Sequence, residues 1–93
     1  VQTCALPISR LKNKLKKCQP YFIEKDLLPN MYFKEDIEEK EYWVFKYAFI
    51  RRLSDVSIGV RLGYTSQNIH YIIKNILIAN KEFIENFLLT HNF

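Results

Sequence analysis

The stretch from Leu53 to Ile76, LSDVSIGVRLGYTSQNIHYIIKNI, decides the fold of this chain. Ser54 is of the type that caps helix N-termini, and Asp55 suits the positive end of a helix dipole. Gly63 suits a left-handed backbone, which lets a chain leave a helix, and Thr65 can cap a second helix. The stretch therefore predicts two helices joined by a tight glycine turn, which is a helix-turn-helix unit.

The spacing of apolar residues predicts which sides of these two helices face inward. In the first helix they recur four positions apart, at Ile58 and Leu62. In the second helix they form one stripe, which consists of Ile69, Ile72, Ile73 and Ile76. The unit should therefore bury one face of each helix in a common core.

The same residues resemble the DNA-binding helix-turn-helix family. That family has a small residue in its first helix, apolar residues beside it, a glycine in the turn and branched residues inside the second helix. This sequence has the matching residue types at Ile58, Gly59, Leu62, Gly63, Ile69 and Ile72. The sequence RRLSDVSIGVRLGYTSQNI most resembles region 4 of sigma factors and related small phage regulators. The resemblance covers roughly residues 44–77.

The resemblance implies that the second helix enters the major groove of DNA. Contacts to base edges would come from exposed residues near its start, namely Ser66, Gln67, His70 and Tyr71. Gln67 suits a bidentate contact with adenine. Contacts to phosphates, which position a protein without specifying sequence, would come from Thr65, Arg51, Arg52, Arg61 and Lys74.

Composition and charge limit the class of protein. The chain has 93 residues, of which 48% are hydrophobic, and only two glycines and three prolines. These values predict one all-α domain, with about five helices around the helix-turn-helix unit, rather than a disordered or all-β chain. The net charge of +4 suits a polyanionic partner, and between residues 51 and 81 five basic residues accompany a single acid.

The sequence indicates no catalytic, metal or cofactor site. Cys4 and Cys18 form no CxxC pair or Cys/His cluster, and His70 and His91 have no partner pattern. No apolar run has the length of a membrane span. We therefore expect a soluble cytoplasmic protein that is not an enzyme and that uses no cofactor, metal or small-molecule ligand.

The first third of the chain is expected to consist of a tail and a helical segment. Residues 1–8, VQTCALPI, resemble the translation of a sequencing-adapter remnant, and we assign them to a non-native or disordered tail. Residues 9–34 should pack on the core, with one helix from Ser9 to Cys18 and a helical piece from Tyr21 to Leu28. The lysines of the first helix could touch DNA phosphates or form a solvated face, and lysines alone favour the solvated face; they are Lys12, Lys14, Lys16 and Lys17.

Residues 35–93 should form the helix-turn-helix domain and its C-terminal helix. A central helix is predicted from Asp36 to Leu53, because acids crowd its start, arginines crowd its end and apolar residues cover most of its circumference. Around Asn80 two outcomes are open. Apolar spacings of three and four fit a continuous helix that pairs with a second subunit, whereas an N-cap at Asn80 would let residues 81–89 fold back. We favour the fold-back.

Val56 and Val60 lie four apart in the first helix of the unit, where the sigma-like family has polar residues. We expect them to be covered by the N-terminal segment, by a second subunit in a homodimer, or by a partner such as RNA polymerase.

Two functions are compatible with the sequence. The leading hypothesis is sequence-specific binding of double-stranded DNA by a transcriptional regulator from a phage or mobile element. The alternative is an assembly or adaptor protein, such as a phage packaging subunit, whose protein interface includes Val56, Val60, Phe83 and Phe87.

Overall fold

The computed structural model describes residues 7–34 and 40–91, and within these ranges the chain is helical and contains no strand. Four helices are α-helical throughout: α1 (Ile8–Lys17), α4 (Asp55–Leu62), α5 (Ser66–Ala79) and α6 (Lys81–Thr90). Helix α2 consists of an α-helical turn (Pro20–Phe22), a π-helical part (Ile23–Leu27) and a 3₁₀ turn (Leu28–Asn30). Helix α3 has an α-helical part (Lys40–Phe45) followed by a π-helical part (Lys46–Ile50). The all-α prediction is confirmed, and the described part of the chain has six helical elements instead of about five.

Helices α4 and α5 begin where the sequence predicts, each behind a side-chain cap. The Ser54 hydroxyl oxygen accepts a hydrogen bond from the Ser57 N–H at 3.2 Å. The Thr65 hydroxyl oxygen accepts one from the Asn68 N–H at 3.1 Å. Both contacts satisfy a backbone donor that a helix start would otherwise leave without a partner.

The turn between α4 and α5 depends on two glycines, Gly63 in the turn and Gly59 in α4. Gly63 ends α4 with φ of 81°, in the left-handed region. The N–H groups of Gly63 and Tyr64 both donate to the Gly59 carbonyl oxygen, at 2.8 and 2.9 Å. Gly59 is itself buried, and a methyl group in place of its hydrogen would overlap the carbonyl oxygen of Tyr64. A side chain at position 59 would therefore push α5 away from α4.

The core lies around α5, which packs against α1, α3, α4 and α6. Helix α5 contributes Ile69, Ile72, Ile73, Ile76 and Leu77. Helix α3 contributes Val44, Phe45, Ala48 and Phe49, and the rings of the two phenylalanines are 4.9 Å apart. Helix α1 packs on α5 and α6 and buries Leu11 and Leu15 completely. Helix α1 of the N-terminal segment thus covers one side of α5.

Helix α3 ends earlier than predicted. The sequence predicts a helix from Asp36 to Leu53; residues 36–39 lie outside the described residues, and the observed helix ends at Ile50. The Leu53 N–H donates to the Tyr47 carbonyl oxygen at 2.9 Å, and Arg52 has a positive φ of 62°. The wide π-helical turn thus closes the helix and frees Ser54 to cap α4. The pair Arg51–Arg52 suits a helix end electrostatically, but charge does not show at which residue the backbone turns.

The chain breaks at Asn80, so the predicted fold-back is confirmed and the continuous helix is wrong. The predicted reason is also wrong, because the Asn80 side chain makes no cap hydrogen bond to α6. Its amide nitrogen donates to the carbonyl oxygens of Tyr32 at 2.8 Å and Ile76 at 2.9 Å, and its amide oxygen accepts from the Tyr32 N–H at 2.5 Å. Asn80 is 1% exposed and holds the segment after α2 against the α5–α6 junction.

We expect Gly59→Ala to destabilise the protein more than Gly63→Ala. The methyl group at position 59 meets backbone, and overpacking of this kind costs about 1–3 kcal/mol. The space around Gly63 is open, so alanine there should cost only the left-handed strain of about 1 kcal/mol. Urea denaturation of both variants measures the free energy of unfolding, and an equal or larger loss for Gly63→Ala would contradict the tight contact.

Asn80→Ala should lower the free energy of unfolding by about 1–3 kcal/mol, because the Tyr32 N–H and C=O both lose their partner. Asn86→Ala is the matched control, since Asn86 is exposed on α6 and its removal should change stability by less than about 0.5 kcal/mol. Thermal denaturation followed by circular dichroism provides the comparison, and similar melting temperatures for the two variants would show that Asn80 does not hold this segment.

Candidate functional site

The outer face of α5 presents three polar side chains to solvent. Gln67, Tyr71 and Lys74 are exposed, and Tyr71 is 62% exposed. At 100° per residue they lie opposite the stripe that buries Ile69 and Ile73 in the core. The structure therefore brings together three of the residues predicted to contact DNA, on a helix whose other side is anchored.

The remaining predicted residues of α5 lie at its N-terminus and on one flank. Thr65 and Ser66 are exposed at the start of the helix, where the Thr65 oxygen also serves as the cap. His70 lies on the flank toward α1, and its Nδ1 is 3.8 Å from the Asp55 Oδ2. The imidazole of His70 on α5 therefore lies close to the Asp55 carboxylate at the start of α4 and does not project directly away from the core.

Two of the predicted arginines meet on one aromatic ring. The guanidinium carbons of Arg51 and Arg61 lie 6.0 Å and 5.7 Å from the centroid of the Tyr47 ring. Arg51 directly follows α3, Arg61 lies in the last turn of α4, and both are exposed. A ring near two guanidinium groups restricts their motion by cation–π attraction. The Tyr47 ring therefore holds these two guanidinium groups near each other, a contact that the sequence does not indicate.

Arg52 has a different partner. Its guanidinium donates a hydrogen bond to the carbonyl oxygen of Cys18, the residue that follows α1. The bond ties the end of α3 to the end of α1. Arg52, which is predicted to contact phosphate, is exposed, and one of its guanidinium nitrogens is already bonded to the Cys18 carbonyl oxygen. Cys18 is buried beside it, and burial raises the pKa of the thiol, which Arg52 and then Lys14 partly offset.

A cleft of about 460 Å³ lies between α1 and α5 and places basic residues of α1 beside the outer face of α5. On its α1 side lie Ser9, Lys12, Asn13 and Lys16, and on its α5 side lie His70, Ile73, Lys74 and Leu77. Lysines alone favour a solvated face for α1, and nothing in the sequence places α1 beside α5. The available signal was the four-residue spacing of Lys12 and Lys16, which puts both on one side of a helix.

The other flank of α5 adjoins the end of the segment after α2 and the start of α3. Lys34, Lys40, Glu41, Asn68 and Asn75 line a groove there, together with Tyr71 and Ile72. The Glu41 carboxylate accepts a hydrogen bond from the Lys34 N–H at 3.0 Å. Both flanks of α5 thus carry lysines, but only this flank includes an acid among its lining residues.

The predicted protein interface is brought together only in part. Val56 and Val60 are 63% and 80% exposed on α4, so the N-terminal segment does not cover them. Phe83 is 52% exposed on α6 and lines a groove beside α2. Phe87, by contrast, is 7% exposed and belongs to the core, so its assignment to an interface is corrected. It lies one turn beyond Phe83, on the side of α6 that packs inward.

Within residues 7–34 and 40–91, no group of three or more His, Cys, Asp or Glu side chains is placed to hold a metal ion. In the same ranges, no helix has the length and apolar content needed to cross a lipid bilayer. Comparisons with models of protein families, with curated proteins and with solved structures give no match. Geometry and charge must therefore support any functional proposal.

We expect Arg52→Ala to be more destabilising than Arg52→Gly. Both variants lose the charge-assisted bond to the Cys18 carbonyl, which contributes about 1.5–3 kcal/mol. Glycine also relieves the positive φ at position 52, which should return about 1 kcal/mol. Urea denaturation gives both values. If Arg52→Ala unfolds at the wild-type urea concentration, Arg52 does not stabilise the junction of α1 and α3.

Proposed function

We propose that the chain binds double-stranded DNA through the helix-turn-helix formed by α4 and α5, as a transcriptional regulator of the phage or mobile-element type. The observation that carries the proposal is the outer face of α5, where Gln67, Tyr71 and Lys74 project from a helix whose opposite side is buried. The resemblance to sigma region 4 and small phage regulators supplies the regulator class.

The dimensions and the chemistry of α5 suit a major groove. The groove is about 12 Å wide and admits a single α-helix. Helix α5 has 14 residues, and the side chains of its first half are exposed except for those of the core stripe. Gln67 can bond the N6 and N7 atoms of adenine, which distinguishes this base from the other three. Tyr71, one turn further on, and Lys74, two turns further on, can donate hydrogen bonds to phosphate oxygens.

The arginines at Tyr47 support the same proposal. Arg51 and Arg61 repel each other electrostatically, yet both lie near one ring. A phosphate between them would lower that repulsion and would accept several hydrogen bonds from their planar guanidinium groups. Because the ring restricts their motion, less side-chain entropy is lost when the phosphate binds.

The test is a binding series with mixed-sequence and selected duplex DNA at several salt concentrations. Affinity should fall as salt rises, and Lys74→Ala should weaken binding to all sequences and reduce the salt slope by about one. Gln67→Ala should instead relax preference at one base pair, with a loss of discrimination of about 1–3 kcal/mol.

Lys81→Ala is the matched control for Lys74→Ala, since Lys81 begins α6 and lies outside the outer face of α5. It removes the same charge and should leave the salt slope close to that of the wild-type protein. Binding that is independent of salt, or equal effects of the two lysine substitutions, would refute the proposal.

A second candidate, an assembly or adaptor protein, is favoured by the exposure of Val56 and Val60. Two valines one turn apart form an apolar strip that a protein partner or a second copy could cover. Multi-angle light scattering separates the candidates: a chain that stays monomeric at all concentrations and binds no protein would count against this one. A DNA-binding regulator could also use the strip to contact RNA polymerase, so the two candidates share this surface.

A further inference from the structure

We propose that α1 belongs to the DNA-binding surface, with Lys12 and Lys16 contacting the phosphates of one strand beside the major groove that α5 occupies. The inference rests on the proposed function and names the part of the partner that this surface contacts, a phosphodiester backbone. It also assigns a role to a helix outside the helix-turn-helix.

The position of α1 is fixed by its apolar side. Leu11 and Leu15 are fully buried, and the helix packs on α5 and α6. Lys12 and Lys16, which are one turn apart, line the cleft toward α5. Lys14 and Lys17 belong to other sides of the helix, and neither lines the cleft. The packing of α1 therefore selects two of its four lysines and holds them beside α5.

The cleft is an anion site by composition. Among the described residues that line it are Lys12, Lys16 and Lys74, with Ser9 and Asn13 as further hydrogen-bond donors, and none of these described lining residues is an acid. Asp55 is an acid close to its edge, where it faces His70 at 3.8 Å. Three like charges around one cleft disfavour the isolated state, and a bound polyanion removes that repulsion.

A duplex suits this cleft better than a small anion does, because the cleft continues into the outer face of α5. Lys74 lines the cleft and also borders Gln67 and Tyr71 on α5. A helix that entered a major groove with Gln67 toward the bases would therefore bring α1 toward the strand at the groove edge. Lys12 and Lys16 are separated by about 6 Å along the axis of α1. One strand rises about 3.4 Å per nucleotide along the duplex axis, so with α1 parallel to that axis the spacing corresponds to about two nucleotides.

The two flanks of α5 differ, and this difference predicts the orientation of the helix on DNA. On the α1 side the lining is cationic, whereas on the opposite side Glu41 accompanies Lys34 and Lys40. The stronger phosphate contact should therefore be made on the α1 side, where no carboxylate of the lining opposes it. Helix α1 would set the angle at which α5 enters the groove.

The experiment compares two double variants of the full chain, Lys12→Gln/Lys16→Gln and the control Lys14→Gln/Lys17→Gln. Both remove two positive charges from the same helix, and glutamine has a helix propensity similar to that of lysine. Fluorescence anisotropy with a duplex across a salt series should show a loss of affinity of about tenfold or more for the cleft variant, and a salt slope smaller by about two. The control should lose less than about threefold, with nearly the wild-type slope.

Two further variants make the result decisive. Lys12→Arg/Lys16→Arg keeps both charges and should retain wild-type affinity, whereas a loss there equal to that of the glutamine pair would overturn the phosphate contact. Gln67→Ala should alter sequence preference while the cleft variant preserves it. A change of preference in the cleft variant would place α1 on the bases and overturn the proposal as stated.

The inference and the proposed function fail in different ways. If the wild-type chain binds duplex DNA and Gln67→Ala relaxes its preference, but the two glutamine pairs behave alike, the role of α1 is wrong and the function stands. If the wild-type chain shows no salt-dependent binding to duplex DNA, the proposed function fails and the role of α1 fails with it.

Discussion

The close approach of the Tyr64 backbone to Gly59 determines where α5, the helix at the centre of the core, lies. Because position 59 has no side chain, the turn after α4 folds tightly against that helix, and Gly63 and Tyr64 both bond to the Gly59 carbonyl oxygen. The start of α5 is thereby placed within a few residues of the end of α4. The isoleucines of α5 can then enter the core that α3 and α6 complete, while its polar side faces outward.

Around that helical hairpin, the remaining helices are held in place by contacts between residues that are distant in sequence. The Arg52 guanidinium joins the end of α3 to the end of α1, and the Asn80 amide joins Tyr32 to the α5–α6 junction. Each uses a polar side chain to satisfy backbone groups where a helix ends. Together with the buried side chains of Leu11 and Leu15, they hold the helices in the arrangement that puts Lys12 and Lys16 on one cleft with Lys74. Stability and the charge of the candidate surface thus depend on the same contacts.

Local chemistry explains what the sequence could predict. Ser54, Gly63 and Thr65 act within four residues of their own positions, so the bounds of α4 and the start of α5 were predictable. The break at Asn80 was predictable only as one of two outcomes, because its partner Tyr32 is 48 residues away. The early end of α3, the bond of Arg52, the burial of Phe87 and the cleft beside α1 all require the packing of distant helices. The outer face of α5 follows from helical periodicity alone, whereas its basic flanks do not.

The two π-helical segments, Ile23–Leu27 and Lys46–Ile50, pack against each other. A π-helical turn is closed by i→i+5 hydrogen bonds, so it holds about one residue more than an α-helical turn. Removal of one residue between Lys46 and Ile50 would restore α-helical pitch and leave Arg51 at nearly the same angle about the helix axis relative to Tyr42 and Trp43. The loss of one residue within this part of α3 should therefore displace Arg51 less than a loss elsewhere in the helix, where each deleted residue turns the following residues by about 100°.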